Sequence, residues 1–575
     1  MFKKVSSIAI ILVGMIAILS LVINEMWDEK TGRLADDVRE LKFSRESGFY
    51  DDEFELEIKS QKGGKIYYTL DSSQPDENSI EYVGPICIDD ASRHENVYSA
   101  RSDASTGYYS ELIKEYSIEP DPEYKVPSEK VDKCTVVRAV AVYEDGTRSD
   151  VKTASYFVGF NDKSSYDNMN YISIVTDPDN LFDYDFGIYV TGRVFDEYRE
   201  ILESENADEN QQNTAGNPYW YQWDSNYSLD YSTEKIASIQ FFDKKQNLTL
   251  SQKCGIDIHG GGSRGYNPKA FNLKVREEYD GNSEFRADLF GNNLKTSRLV
   301  LFAGGNDNYT KSRDYIVNKL TRKMNFTTVL FEPYVLFLDG EYWGVYFLND
   351  KVNDDYLKRY YGVDKDNSIV IKGYKVSVGE ESDADLLWEL YENLPEDLSN
   401  EEDYEKVSQK VDIDSAIDYF AVMCWISRTR DWPNANIAMW RSRDFDTNNY
   451  CDCKWRFILY DVNSSSISTD LIYEDSIGHA IGMNPLFAAL MTNKGFKQRF
   501  LDKVLELNNK EFSKENVDSV IAEFRSLMTV QMKQNNERFF GGEPEGHSFR
   551  EELSQVEEFF NARREYIPEL VEKYR

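Results

Sequence analysis

Histidine and cysteine are scarce: four His and six Cys in 575 residues, and no pairing of them at a spacing that closes a zinc site. The cysteines (Cys87, Cys134, Cys254, Cys424, Cys451, Cys453) are too few to form a disulfide framework for a chain of this length. Cys451 and Cys453 are expected to be plain strand residues, since neighbours separated by one residue seldom close a disulfide. Positive charge is also in deficit. Lys and Arg number 66 against 102 Asp and Glu, a net charge of −36. That balance excludes a nucleic-acid partner, which calls for a basic surface. No internal repeat or low-complexity tract occurs. What the chain does have is apolar substance: 41% hydrophobic and 14% aromatic residues exclude disorder and supply core for about two to four domains.

The run 5–24, VSSIAIILVGMIAILSLVIN, carries no charge. At about 1.5 Å per helical residue it reaches roughly 30 Å, the depth of a bilayer core. Lys3 and Lys4 precede it, and Glu25, Asp28 and Glu29 follow. The positive-inside rule therefore predicts a cytoplasmic tail at 1–4, a transmembrane anchor at 5–24, a stalk at 25–40 and an extracytoplasmic bulk. A cleaved signal peptide is the rival reading, but no small-x-small cleavage pattern follows the run.

Residues 41–160 alternate in FELEI, KIYYTL and VVRAVAVY, with turn signals between, and predict a β-sandwich. From 165 onward the chain is mixed, so the whole is of the α+β class. Residues 202–218 are polar and read as an exposed insertion. ASIQFFD, CGIDIHG and PKAFNLKV predict strands, with a Gly-rich bend at HGGGSRG. Residues 309–324 predict a helix. Residues 333–350 predict a hairpin around an Asp-Gly turn, and the last ninety or so residues predict helices.

The stretch 428–464 is the most telling. Asp431, Asn436 and Asp461 surround two short apolar runs, IAMW and WRFILY. An Asp, an Asn five positions on, two strands and a further Asp at a strand end is the layout of a protein-kinase catalytic loop and metal site. In an Asp-rich chain the spacing alone is also that of a surface hairpin: Asp444 and Asn449 repeat the interval.

Other segments carry a resemblance. GFYDDEFELEI, KIYYTLDSSQP, YVGPI and VVRAVAVYEDGTRSD together resemble the chitobiase/hexosaminidase C-terminal-like domain, a fibronectin-like sandwich, with 88–130 as an enlarged loop. DPDNLFDYDFGIYVTG, GIDIHGGGSRGYNPKAFNLKV, SRDYIVNKL, LDGEYWGVYFLNDKVNDDYL, TRDWPNANIAMWR and KWRFILYDVN, in that order over 165–575, resemble the CotH kinase family. The resemblance implies an atypical, two-lobed protein-kinase-like domain with a helical C-terminal part. It implies transfer of phosphate from ATP, with Mg2+ or Mn2+, to Ser or Thr of exported or envelope proteins. Carried onto this chain, it makes Asp431 the catalytic-loop Asp, Asn436 the metal-binding Asn and Asp461 the second catalytic and metal-binding Asp. Lys269 becomes the phosphate-gripping lysine, with Lys274 as fallback on the opposite strand face. Arg264 becomes a phosphate clamp. Asp350 stands near the nucleotide where the family usually has Glu, and Thr429 where it often has Asn. His259 is expected to be a strand-end hydrogen-bonding residue. The alternative is a catalytically silent surface scaffold or adhesion protein that touches polysaccharide through the sandwich. No motif supports a glycoside hydrolase.

Overall fold

A computed structural model of the chain describes residues 27–28, 33–34, 41–104, 124–203, 225–228 and 233–575, apart from 293, 374, 434, 435, 464, 465 and 545. The apolar run 5–24 and most of the insertion 202–218 lie outside the described residues. Among the described residues no helix is long and apolar enough to cross a membrane.

The N-terminal module is built on a five-stranded sheet whose centre pairs Thr135–Val142 with Lys152–Val158 and with Lys65–Thr69. Its own core gathers Leu56, Ile58, Val137, Ala139, Ala141 and Tyr156. The two faces of these strands go to different places. Phe157 and Phe160 point away from that core and into the next domain.

That domain opens with a closed barrel of seven strands: β1 (Asn170–Val175), β2 (Lys235–Phe242), β3 (Leu248–His259), β4 (Ala270–Lys274), β5 (Arg298–Phe302), β6 (Phe331–Leu338) and β7 (Glu341–Asp350). The order is β1-β2-β3-β4-β5-β7-β6, and β6 closes the ring by pairing in parallel with β1. Ile172, Leu336, Trp343, Tyr346 and Leu348 fill its interior. On the outer wall, Tyr171, Phe337, Val345 and Phe347 join a larger core shared with the C-terminal helices. The β6–β7 hairpin turns at Asp339 (φ 48°) and Gly340 (φ 89°), both left-handed as a type I′ turn requires. A Cβ on Gly340 would stand 2.8 Å from the Cys134 carbonyl, so glycine also admits the sandwich module.

The join between module and barrel is extensive. The Phe157 ring lies 5.0 Å from Phe337 and Phe49 lies 4.7 Å from Tyr171. Ser155 and Ser173 hydroxyls meet at 2.8 Å. The buried Glu341 carboxylate accepts the Val97 and Ser99 amides at 2.6 and 2.7 Å.

Beyond the barrel, helix α1 (Arg313–Thr321) leaves the loop after β5, and α2 (Asp354–Tyr361) follows β7. A four-stranded sheet in the order β9-β8-β10-β11 comprises β8 (Ser368–Lys372), β9 (Lys375–Val378), β10 (Ala438–Ser442) and β11 (Arg456–Ile458). Helix α3 (Ile413–Trp425) runs through the core, packed on α4 (Lys494–Asn509). The long α5 (Lys514–Phe540) lies against β7 and α1, and α6 (Phe549–Glu572) against α5. Cys451 and Cys453 lie in the β10–β11 connection rather than in a strand, and all six cysteines are free.

Candidate active site

Helix α3 carries the chain to the site. It is buried all round, with Asp412 capping its N-terminus through the Ser415 amide at 3.0 Å. Its last carbonyls, which have no partner within the helix, are met by Arg563 of α6. Arg563 donates to Trp425 O, Cys424 O, Ile472 O and Glu474 O at 2.6–3.0 Å. The chain then leaves α3 through Ser427, in left-handed backbone (φ 57°), and enters the loop with Arg428.

Arg428, fully buried, organises that loop. Its Nε and Nη2 donate to the two carboxylate oxygens of Asp431 at 3.1 and 3.4 Å, and Nη1 donates to Tyr460 O at 3.0 Å. Asn436 adds a second hold on Asp431: its Nδ2 donates to Oδ2 at 2.7 Å and its backbone N–H to the Asp431 carbonyl at 3.2 Å. Trp432 is pinned from two sides, by Tyr419 OH on its indole N–H (2.9 Å) and by His479 on its carbonyl (2.7 Å). The Asp431 carboxylate retains 37% exposure, so it is oriented yet open to a ligand.

Asp461 follows β11 in left-handed backbone (φ 54°) and accepts Asn463 Nδ2 at 2.7 Å. Burial pushes its carboxyl up, Arg428 holds it down and Asp431 pushes it up further. Lys372, at the end of β8, also acts on it. Asp431 and Asp461 are therefore two neighbouring carboxylates with Arg428 acting on both. Asp314 in α1 lies beside them. It is buried and pushed up to about 7 by burial, with Asp461 as the next cause, and its Oδ1 accepts the Val462 amide at 3.0 Å.

Cations and polar groups line the facing surface of the barrel. Asp257, His259, Asn272 and Lys274 share one face of β3 and β4. His259 Nδ1 meets Asn272 Oδ1 at 3.0 Å, Asn272 Nδ2 donates to Asp257 at 2.7 Å, and Lys274 pairs with Asp257 at 2.5 Å. Lys351, just past β7, reaches Asn272 Oδ1 at 3.3 Å. Burial pushes Lys351 down to about 8, assisted by Lys372. His259 falls to about 3 through burial, then Lys351, with Lys372 and Arg264 contributing. Lys372 thus acts on the barrel face as well as on Asp461.

Asp431, Asn436 and Asp461 come together, while four other residues singled out from the sequence are occupied elsewhere. Lys269 is fully buried. Its Nζ donates to Arg264 O at 2.8 Å and sits 3.9 Å from the centre of the Tyr227 ring, which closes it to a phosphate. Lys274 does face the opposite side, as strand parity requires, but it is paired with Asp257. Arg264 is buried and spends Nε on Gly260 O and Nη1 on Tyr227 O, both at 2.8 Å; it clamps the Gly-rich bend. Asp350 is fully buried, pairs with Arg359 at 2.5 Å and is pushed up to about 6 by burial. Sequence reasoning missed Arg428, Lys372, Lys351 and Asp314. Arg428 lies three residues before Asp431 in the same stretch, and Asp314 and Lys351 fall inside the segments SRDYIVNKL and LDGEYWGVYFLNDKVNDDYL, with no interval that singles them out; Lys372 carried no local signal.

Comparison with protein families finds two matches. The model described as Fn3 associated matches residues 56–156, on the sandwich module. The model described as CotH kinase protein matches residues 256–567. No curated protein matches the chain. The second match spans more than half of the 575 residues and takes in every residue of the Asp431 loop and of the Asp461 turn: the chain belongs to the CotH kinase family, with a fibronectin-like module before the kinase domain.

Proposed function

We propose that the chain is an ATP-dependent protein kinase acting on Ser or Thr hydroxyls of exported or cell-envelope proteins. The observation that carries this reading is the joint hold of Arg428 and Asn436 on Asp431, beside the desolvated Asp461. Asp431, kept in one orientation, accepts the proton of the attacking hydroxyl as its oxygen bonds to the terminal phosphorus and ADP departs. A bound Mg2+ or Mn2+ supplies positive charge across the phosphates. Asp461 and Asn436 would hold it. Asp461 is a buried carboxylate raised by Asp431, and Asn436 is bonded to Asp431 through its Nδ2, which leaves its amide oxygen as an acceptor; carboxylate and amide oxygens are hard donors that fit such an ion. Among the described residues no three His, Cys, Asp or Glu side chains gather into a cage. Mg2+ is commonly held by one or two carboxylates, with water and phosphate completing its shell. Lys372 and Lys351, rather than Lys269, would meet the phosphate oxygens. The run 5–24 would hold the chain in a membrane with its bulk outside.

The test is transfer of label from ATP, with Mg2+ or Mn2+, by the chain from residue 41 onward, beside Asp431→Ala and Asp461→Ala. Asp461→Ala should lose metal-dependent nucleotide binding. Asp431→Ala should keep binding and lose transfer. Variants indistinguishable from the parent, or a parent with no metal-dependent nucleotide binding, would put the silent-scaffold reading in its place.

A further inference from the structure

We infer that Asp314 is a positioning residue: its hydrogen bond to the Val462 amide fixes the turn that presents Asp461. The role of Asp461 rests on the kinase reading above; the grip of α1 on the turn does not.

Two consecutive residues in the first turn of α1 hold the segment at both ends. Asp314 Oδ1 accepts Val462 N–H at 3.0 Å, and Arg313 Nε donates to Ile467 O at 3.3 Å. The helix start is itself anchored. Asp307 accepts the Ser312 and Arg313 amides at 2.8 and 2.9 Å and pairs with the Arg313 guanidinium at 2.6 Å. The same loop presses on the turn from its other side. A Cβ on Gly305 would stand 3.1 Å from Asn463 Nδ2, the group that donates to Asp461.

Such a brace is needed because Asp461 is non-glycine in left-handed backbone. That conformation costs of order 1 kcal/mol or more and persists only where the surroundings determine it. The Asp314 side-chain carbonyl oxygen accepts the Val462 N–H whether or not the carboxyl carries a proton, and a buried backbone N–H needs such an acceptor. Asp314 is 5% exposed and Val462 fully buried, so bulk water does not reach the Val462 amide. Without an acceptor there, the amide is left buried and unpaired and the turn is free to move Asp461.

The test compares Asp314→Asn, which keeps a carbonyl acceptor, with Asp314→Ala, which removes it, in the chain from residue 41 onward. Two quantities are read: hydrogen exchange of the Phe457–Asn463 peptide in metal-free protein, and Mn2+-dependent affinity for a non-hydrolysable ATP analogue. Asp314→Ala should exchange faster in that peptide and bind about tenfold or more weakly. Asp314→Asn should stay within about threefold of the parent on both. Parent-like exchange and affinity in Asp314→Ala would overturn the inference, as would a loss in Asp314→Asn equal to that in Asp314→Ala. If Asp314→Ala does not fold, Asp314→Asn decides: parent-like values uphold the acceptor role and a tenfold loss overturns it. A parent without Mn2+-dependent binding defeats the kinase reading, and exchange alone then decides for Asp314.

Discussion

The sandwich module should be inseparable from the barrel. Cutting the chain at residue 165 withdraws Phe49, Phe157 and Phe160 from the barrel's outer wall. It leaves Tyr171, Phe242 and Phe337 each uncovered on one side; Phe49–Tyr171 is 4.7 Å, Phe49–Phe242 5.4 Å and Phe157–Phe337 5.0 Å between ring centres. Full burial of a large apolar side chain is worth about 1.5–3 kcal/mol. Half-uncovering three rings therefore costs roughly 3 kcal/mol, and the three lost hydrogen bonds, Ser155–Ser173 and the Val97 and Ser99 amides on Glu341, add about 1 kcal/mol each. The sum, roughly 6 kcal/mol, is comparable with the entire stability of a domain, about 5–15 kcal/mol. Urea unfolding of 41–575 and 165–575, followed by circular dichroism and by fluorescence, measures it. The longer chain should unfold with module and barrel in one transition, and the shorter at a much lower midpoint or not fold at all. Phe157→Ala in the longer chain is the point version, at about 3–5 kcal/mol. Equal midpoints for the two chains, or a separate transition for the module, would refute the reasoning.

Arg428→Met removes the cation held between Asp431 and Asp461. Breaking a buried pair costs about 3–5 kcal/mol, and the partial exposure of Asp431 sets the lower end, about 3 kcal/mol, as the expected loss in urea denaturation, with added Mn2+ recovering part of it. Lys311, buried with Nζ on Val345 O and Asn535 Oδ1 at 2.8 and 3.1 Å, is pushed down to about 7 by burial. Its unfolded value is about 10.4. Between these limits the unfolded chain holds the extra proton, so the penalty from Lys311 is full below about pH 7 and fades as pH rises. Stability should climb with a slope of up to about 1.4 kcal/mol per pH unit from this group, and urea midpoints at pH 7, 8 and 9 should show Lys311→Met losing that climb.

Much of the fold is legible where its cause is local. The β6–β7 hairpin is announced by Asp339-Gly340, and its strands pair around that turn. The helical C-terminal part follows from apolar spacing, and α5 and α6 lie where it predicts them. Closure of the barrel is not legible, because the β1–β6 pairing joins segments some 160 residues apart with no turn between them to mark it. Nor is the module–barrel join. Alternation in a strand such as Lys152–Val158 shows that one face is buried, and says nothing of a second partner for Phe157 on the other. The candidate site divides in the same way. Asp431 and Asn436 form one short loop with a readable interval. Asp314 stands 148 residues from the amide it holds, and nothing near it in the chain marks that contact.

The lysines show where residue type and strand position cease to be enough. Lys269 and Lys372 are each a lysine at a strand end, and burial lowers both; what each one faces separates them. Lys269 faces the barrel interior, where Tyr189 and Tyr227 surround it and Arg264 O takes its proton donor. Its charge is disfavoured there, and burial pushes it well down. Lys372 faces Asp461, and Lys351 faces the polar side of β3 and β4. A phosphate brought to Asp461 would therefore meet Lys372 and Lys351 and not Lys269. Removing a charge-assisted hydrogen bond costs about 1.5–3 kcal/mol, so Lys372→Met and Lys351→Met should each weaken Mg2+-dependent ATP binding by about tenfold or more. Lys269→Met should leave that affinity unchanged and shift stability by no more than about 1 kcal/mol, since a lost hydrogen bond is offset by removal of a buried amine. Calorimetric titration of the three variants decides it. A loss confined to Lys269→Met would mean that the barrel opens to admit the nucleotide, and that the arrangement of Lys372 and Lys351 is incidental.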